Sequence, residues 1–155
     1  MVLQAHETTR RSFRGSVHRG LELVSQDDNR RTILVVDDHA SLRHVLRRVL
    51  ERSGYRVEIA ENGAQGLERL RSGRVDLVVL DIDMPVMNGR AFLAARAADA
   101  SLLRIPVVIY SAAPGPARVP VGVSAWIWKG SEVAELLHAL SVARPAPARV
   151  AARRG

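Results

Sequence analysis

At 155 residues, 47% of them apolar, the chain has room for one domain with tails and enough apolar material for a packed core. It has no cysteine, which excludes disulfides and thiolate metal sites. No stretch approaches the length of a membrane span, and the N-terminus carries no continuous apolar leader, so a cytoplasmic location is expected.

The net charge of +7 is unevenly spread. Residues 1–31 hold six arginines against four acids, residues 32–141 thirteen basic groups against twelve acids, and residues 142–155 four arginines and no acid. The central part is almost neutral, so the charge speaks for solvated tails rather than for a nucleic-acid-binding domain. Of the 23 basic residues only one, Lys129, is lysine. A single lysine among arginines points to a task that suits a compact ammonium better than a planar guanidinium.

In chain order, residues 1–31 mix polar and charged residues without sustained periodicity and are expected to be disordered, with at most a short amphipathic turn near Leu21 to Val24. Thr32 to Val36 is an apolar run of strand length that ends in Asp37-Asp38. Leu42, Val45, Leu46, Val49 and Leu50 then recur with helical spacing, and Gly54 suits the end of that helix. The charged residues Arg43, Arg47, Arg48, Glu51 and Arg52 fall mostly off this face and are expected in solvent.

Tyr55 to Ala60 alternates as a strand near a sheet edge, and Asn62-Gly63 turns the chain into a helix carrying Ala64, Leu67 and Leu70. Val75 to Leu80 is a run of the kind covered on both faces of a sheet, and it delivers Asp81 into the turn-rich loop DIDMPVMNG. Ala91 to Ala98 is a helix with Phe92, Leu93 and Ala95 inward; Val107 to Tyr110 is a fourth strand followed by Ser111. Ala125 to Trp128 is a fifth strand ending at Lys129, and Ser131 is placed to cap a last helix with Val133, Leu136, Leu137 and Leu140 inward. Residues 142–155 form a Pro/Ala/Arg tail with no means of packing a core.

Repeated β-α units imply a parallel sheet with helices on both faces. One unit is defective. Pro114, Pro116 and Pro120 stand between the fourth and fifth strands, and proline removes a backbone donor and clashes with the preceding helical turn, so the fourth helix is expected to be short or missing. In such sheets ligands bind beyond the carboxyl ends of the strands. Asp37 and Asp38 end strand one, Asp81 strand three, Ser111 strand four and Lys129 strand five, so all converge on one edge.

Three neighbouring carboxylates repel, and a divalent cation plus one ammonium balances them. Ligation by carboxylates, a carbonyl and waters suits Mg2+. Asp81 kept ionised in this way is a competent nucleophile toward phosphorus, and Ser111 can donate its hydroxyl to a phosphoryl oxygen. Taken singly, Asp37-Asp38 also fits a helix N-cap, Ser111 a turn residue, and His39 and His44 ordinary surface positions.

The acid pair in ILVVDD, the loop DIDMPVMNG, the Ser-Ala after strand four and the lysine in WIWKG together resemble the response-regulator receiver domain of two-component signalling. The resemblance covers about residues 32–141 and implies a flavodoxin-like, CheY-like three-layer α/β fold with strand order 2-1-3-4-5. It further implies Asp81 as phosphoacceptor, Asp37 and Asp38 as the acidic pocket for Mg2+, and the Asp83 backbone carbonyl as a further ligand. Ser111 becomes the switch hydroxyl, Lys129 the phosphate partner and Trp126 the aromatic switch position. The implied partners are a sensor histidine kinase or a histidine phosphotransfer protein, and a downstream protein target. With no output or DNA-binding domain after Leu140, a stand-alone regulator that signals by protein contacts is expected, with no activity beyond self-dephosphorylation.

Three departures bear on that expectation. Gly130 replaces the usual proline after the lysine, so a trans bond is expected there. Trp126 is larger than the usual switch residue, and the Ser111–Lys129 segment is about one helical turn short. Trp126 and Trp128 share the side that the missing helix should cover and are expected to form a partly exposed patch. The alternatives are a degenerate receiver that binds partners without phosphorylation and, from the Asp81-x-Asp83 pattern, a phosphatase of the haloacid-dehalogenase type.

Overall fold

The computed structural model describes residues 30–145. The expected disorder of residues 1–31, the turn at Leu21 to Val24 and most of the 142–155 tail lie outside the described residues. Nine elements follow in order: β1 Thr32–Val36, α1 Ala40–Arg52, β2 Arg56–Ala60, α2 Gly63–Arg71, β3 Leu77–Leu80, α3 Gly89–Ala97, β4 Val107–Ser111, β5 Val123–Trp128 and α4 Val133–Val142. The strands form one parallel sheet of order β2-β1-β3-β4-β5, the flavodoxin-like arrangement, and no helix separates β4 from β5. Among the described residues no helix is long and apolar enough to cross a membrane.

Alternation along the central strands divides the core into two layers. Ile33, Val35, Leu77, Val79, Val108 and Tyr110 face α1 and α4, where Leu46, Leu50, Leu136 and Leu140 meet them. Leu34, Val36, Val78, Leu80, Val107 and Ile109 face α2 and α3, where Leu67, Leu70 and Phe92 meet them. Strands buried on both sides carry polar residues only at their ends, as Thr32 of β1 and Ser111 of β4 show, which is why they read as continuous apolar stretches.

Local chemistry sets the element ends. Asn62 and Asn88 each accept a backbone N–H three residues on, from Gln65 at 3.0 Å and Ala91 at 2.9 Å, starting α2 and α3. Gly54 follows α1 at φ +91°, a left-handed conformation that costs glycine nothing. Arg31 closes the opposite edge of the sheet, donating to Leu140 O in the last turn of α4 at 2.6 Å and to Ala143 O just past it at 3.1 Å.

The structure departs from the sequence expectations in several places, and Val133 of α4, expected inward, is exposed. On α1 the inward face is rotated, so that Arg43 is buried and Val45 is 55% exposed. The Arg43 guanidinium is drawn in by the Asp37 carbonyl, to which it donates at 2.8 Å. Ser131 does not cap α4: its N–H donates to Trp128 O at 2.9 Å in a tight turn, and the helix starts one residue later with Glu132 at the cap position. The central strand begins at Leu77 rather than Val75 because Asp76 turns to Thr32, accepting its N–H at 2.7 Å.

The tryptophan pair is half hidden. Trp128 is 51% exposed, while Trp126 packs against the α2/α3-side core. The Trp126 indole N–H donates to Ala113 O at 3.2 Å and that of Trp128 to Ala112 O at 3.0 Å. A Cβ on Gly115 would stand 2.9 Å from the Trp126 ring, so this glycine lets the proline-rich strap close over the indole where a helix would otherwise lie.

Candidate functional site

Backbone bonds carry each functional residue to the same edge of the sheet. Just past β1, the Asp37 N–H donates to Ala60 O of β2 at 3.1 Å. Past β3, the Asp81 N–H donates to Val36 O at 2.9 Å; past β5, the Lys129 N–H donates to Ser111 O at 2.8 Å. The ladder thus runs one residue beyond the strands and fixes where the side chains begin.

Those side chains meet. The Lys129 ammonium lies 2.6 Å from Asp37 Oδ2 and 3.1 Å from Asp81 Oδ2, with both carboxylates buried. The second oxygen of Asp81 accepts the Ile82 N–H at 2.8 Å, and that of Asp37 accepts the His39 N–H at 2.8 Å. Burial pushes the Asp81 carboxyl above its ordinary value, the Lys129 hydrogen bond opposes this, and the Asp37 charge adds to it. Burial alone would lower the Lys129 ammonium, but its bonds and charge interactions with Asp37 and Asp81 outweigh it and hold the group above its ordinary value.

One ammonium does not balance the acids gathered here. Asp37, Asp38, His39 and Asp81 each offer a ligand atom, all within 4.8 Å of one another. Asp38 Oδ1 is buried without a hydrogen-bond partner among the described residues. An orphaned carboxylate oxygen beside two further carboxylates is the donor chemistry a hard divalent cation requires.

The remaining expected residues sit to one side. Ser111 is fully buried at the end of β4, its hydroxyl oxygen accepting the Ala113 N–H at 3.2 Å. With Asp83, Arg90, Gly115 and Trp126 it lines a cavity of about 330 Å3. The Asp83 side chain is exposed, and His44 is exposed on α1, apart from the acids. The Lys129–Gly130 bond is trans.

Three participants escaped the sequence reading. His39, expected on an ordinary surface, brings Nδ1 to 3.2 Å from Asp37 Oδ1 and 3.0 Å from Asp38 Oδ1. Arg43, expected in solvent, ties the Asp37 carbonyl to Glu61 Oε1, 3.3 Å from its other nitrogen. Gly89 opens α3 so near Asp81 that a Cβ there would strike the Asp81 carbonyl oxygen and stand 2.8 Å from Ile82 Cα. Adjacency in Asp37-Asp38-His39 was a usable signal for the first, whereas nothing local marked Arg43.

The family model described as the response regulator receiver domain matches residues 33–141. A methylesterase/glutaminase, protein-glutamate methylesterase/protein-glutamine glutaminase 1 of Anaeromyxobacter dehalogenans, is 41% identical over 108 residues, covering 70% of this chain and 26% of that protein. The chain therefore spans about a quarter of this relative's length. Among solved structures, chemotaxis response regulator CheY4 of Vibrio cholerae is 28% identical with TM-score 0.66, over 72% of this chain and 97% of that one. Response regulator TrrA of Thermotoga maritima, solved in complex with Mg2+-BeF, is 29% identical with TM-score 0.63, over 72% and 96%. With the matched strand order and the family match over most of its length, this chain belongs to the response regulator receiver domain family.

Proposed function

We propose that this receiver accepts a phosphoryl group on Asp81 from the phosphohistidine of a sensor kinase or histidine phosphotransfer protein, and passes the signal on through protein contacts. The observation that carries this is the Lys129 ammonium held between Asp37 and Asp81 beside an acid cluster with an orphaned oxygen.

Asp37, Asp38 and Asp81, with the Asp83 carbonyl, are the groups that would hold Mg2+. When bound, the ion supplies positive charge against the phosphoryl oxygens. The chain does the rest. An Asp81 oxygen forms the O–P bond as the donor's N–P bond breaks and its electron pair returns to the imidazole. Lys129 needs only a small reorientation from Asp81 Oδ2 to pair with a phosphoryl oxygen in place of the carboxylate. Ser111, relieved of Ala113, donates its hydroxyl to another. Burial of Asp81 limits water's approach to the acyl phosphate. Trp126 would sense the movement of Ser111 through its bond to Ala113.

Incubation with Mg2+ and acetyl phosphate, followed by intact-mass measurement, is expected to show one added phosphoryl group that is absent in Asp81→Ala. No gain in the wild-type chain would favour a phosphorylation-independent binding module. Steady turnover of a generic phosphate ester would instead favour a phosphatase.

A further inference from the structure

We infer that the edge of the sheet opposite the acids, where the strands begin, is a docking surface for the phosphate backbone of duplex nucleic acid, held without regard to base sequence. This surface is independent of phosphoryl transfer at Asp81.

The near-neutral total of the central part conceals a segregation that the fold brings out. All five strands run the same way, so every segment entering a strand lies at one edge and every segment leaving one at the other. Residues 30–31, 53–56, 72–76 and 98–106, which lead into or open β1 to β4, hold five arginines and two acids. Residues 37–39, 61–62, 81–88 and 129–132, which follow β1, β2, β3 and β5, hold six acids, one lysine and one histidine. The molecule is polarised, acidic around Asp81 and basic at the far edge.

Helix dipoles do not account for these arginines. The helices end at the basic edge, and Arg52 and Arg71 in the last turns of α1 and α2 offset the partly negative carbonyl ends there. Arg30, Arg74 and Arg104 belong to no helix and are exposed. Among the described residues their guanidinium groups make no hydrogen bond or ion pair. Like charges left unmatched along one edge attract a polyanion.

Shape and chemistry select a nucleic-acid backbone. The sheet order sets Arg56, Arg30, Arg74 and Arg104 along the edge in that sequence. Strands about 4.8 Å apart make this a row of about 14 Å, or about four rises of one duplex strand. The row is also recessed. Depressions of about 640, 460 and 630 Å3 adjoin along this edge, the first two sharing Glu58 and Arg74 and the last two sharing Arg30. A ridge of phosphates enters such a trough, whereas a flat bilayer rests on its rims. Of the acids in the trough, Glu58 pairs with Arg69 at 3.5 Å and Asp76 accepts the Thr32 N–H at 2.7 Å, so both face protein partners. Arginine at every position of the row offers phosphate a planar, two-pronged donor. The helix α4 also ends at this edge, and the chain continues from it with three arginines and no acid over residues 146–155.

The test is fluorescence anisotropy of the full chain with labelled DNA duplexes of about 20 base pairs in two unrelated sequences, between about 50 and about 200 mM salt, with phosphatidylserine vesicles and polyglutamate as rival polyanions. Both duplexes should bind alike, with an affinity that falls about a hundredfold over that range, as about four phosphate contacts require. The triple variant Arg30→Ala/Arg74→Ala/Arg104→Ala should lose at least about tenfold in affinity at the lower salt and show the shallow salt dependence of about one contact. Its urea midpoint and its phosphoryl uptake should match wild type. Arg47→Ala/Arg48→Ala, on the exposed side of α1, should lose far less. Absence of duplex binding, a triple variant that binds as wild type does, or tighter binding to vesicles or polyglutamate than to the duplex overturns the inference. So does binding that is lost only when Arg149, Arg153 and Arg154 are replaced by Ala, which assigns it to the tail.

Discussion

The two halves of the sheet are built differently. At one end β2, β1 and β3 lie between α1 on one face and α2 with α3 on the other, and the apolar residues of β1 and β3 are almost wholly excluded from water, with Val57 and Ile59 of the edge strand β2 partly buried. At the other end β4 is fully buried, but β5 is only partly so, with α4 on one face and a proline-rich strap closing over its Trp126 ring on the other. The reactive groups are indifferent to this asymmetry. Lys129 comes from the altered half, yet its backbone bond to Ser111 places it against Asp37 and Asp81 regardless of what covers the strand below. No helix between β4 and β5 is needed to bring these groups together; its absence shapes the surface around Trp126 and Trp128.

The sharpest test of that contrast is stability. Phe92→Ala removes a fully buried ring from the doubly covered half and should cost about 3–5 kcal/mol in urea unfolding. Trp126→Ala, in the strapped half, should cost clearly less despite the larger side chain, since the ring is only partly buried. Equal losses would mean that the strap packs as well as a helix.

Next comes Gly89→Ala. Its Cβ would meet backbone on the far side of the loop, which cannot yield as a side chain can, so a loss of about 1–3 kcal/mol is expected together with slower phosphoryl uptake by Asp81. Unfolding midpoints and intact-mass kinetics measure the two effects.

The third prediction concerns pH. The Lys129 ammonium is held above its ordinary value by Asp37 and Asp81, so its contribution is fully present below the unfolded lysine value of about 10.4 and is lost as pH rises through the folded one. Without added metal, wild-type stability should therefore fall more steeply above that pH than that of Lys129→Gln. Parallel curves would show that the ammonium gains little from its two partners.

The smallest effect is expected at the strap. Gly115→Ala sets a Cβ against the Trp126 ring, a side chain that can move outward. The cost should stay below about 1 kcal/mol, a red shift of tryptophan emission should report the displaced ring, and phosphoryl uptake should be unchanged. Slowed uptake would show that the two halves are mechanically coupled.

Much of this was legible from residue order. Parallel strands end on one edge, so acids, a hydroxyl and a lysine that each follow an apolar run had to share that edge. Three prolines in twelve residues forecast the absent helix. Arg43 was misjudged because helical periodicity weighs apolar against charged residues and cannot see a distant carbonyl in need of a donor. Arg96 is buried for the same physical reason, on α3, donating to Leu103 O at 2.9 Å and Ile105 O at 2.7 Å where the chain returns to the sheet, and periodicity offered no reading of it. His39 was passed over because one spacing from an acid pair does not reveal which way a ring turns.

By itself, the sequence determined the order of strands and helices, the edge on which the reactive groups stand and the place where a helix cannot form, because these follow from periodicity, chain direction and the geometry of proline. Only the tertiary structure decided which oxygen of Asp37 meets Lys129, which oxygen of Asp38 makes no hydrogen bond among the described residues, and how a glycine-backed tryptophan closes the gap. Those outcomes depend on contacts between residues far apart in the chain, where distances of a few tenths of an ångström separate a hydrogen bond from an unmet charge.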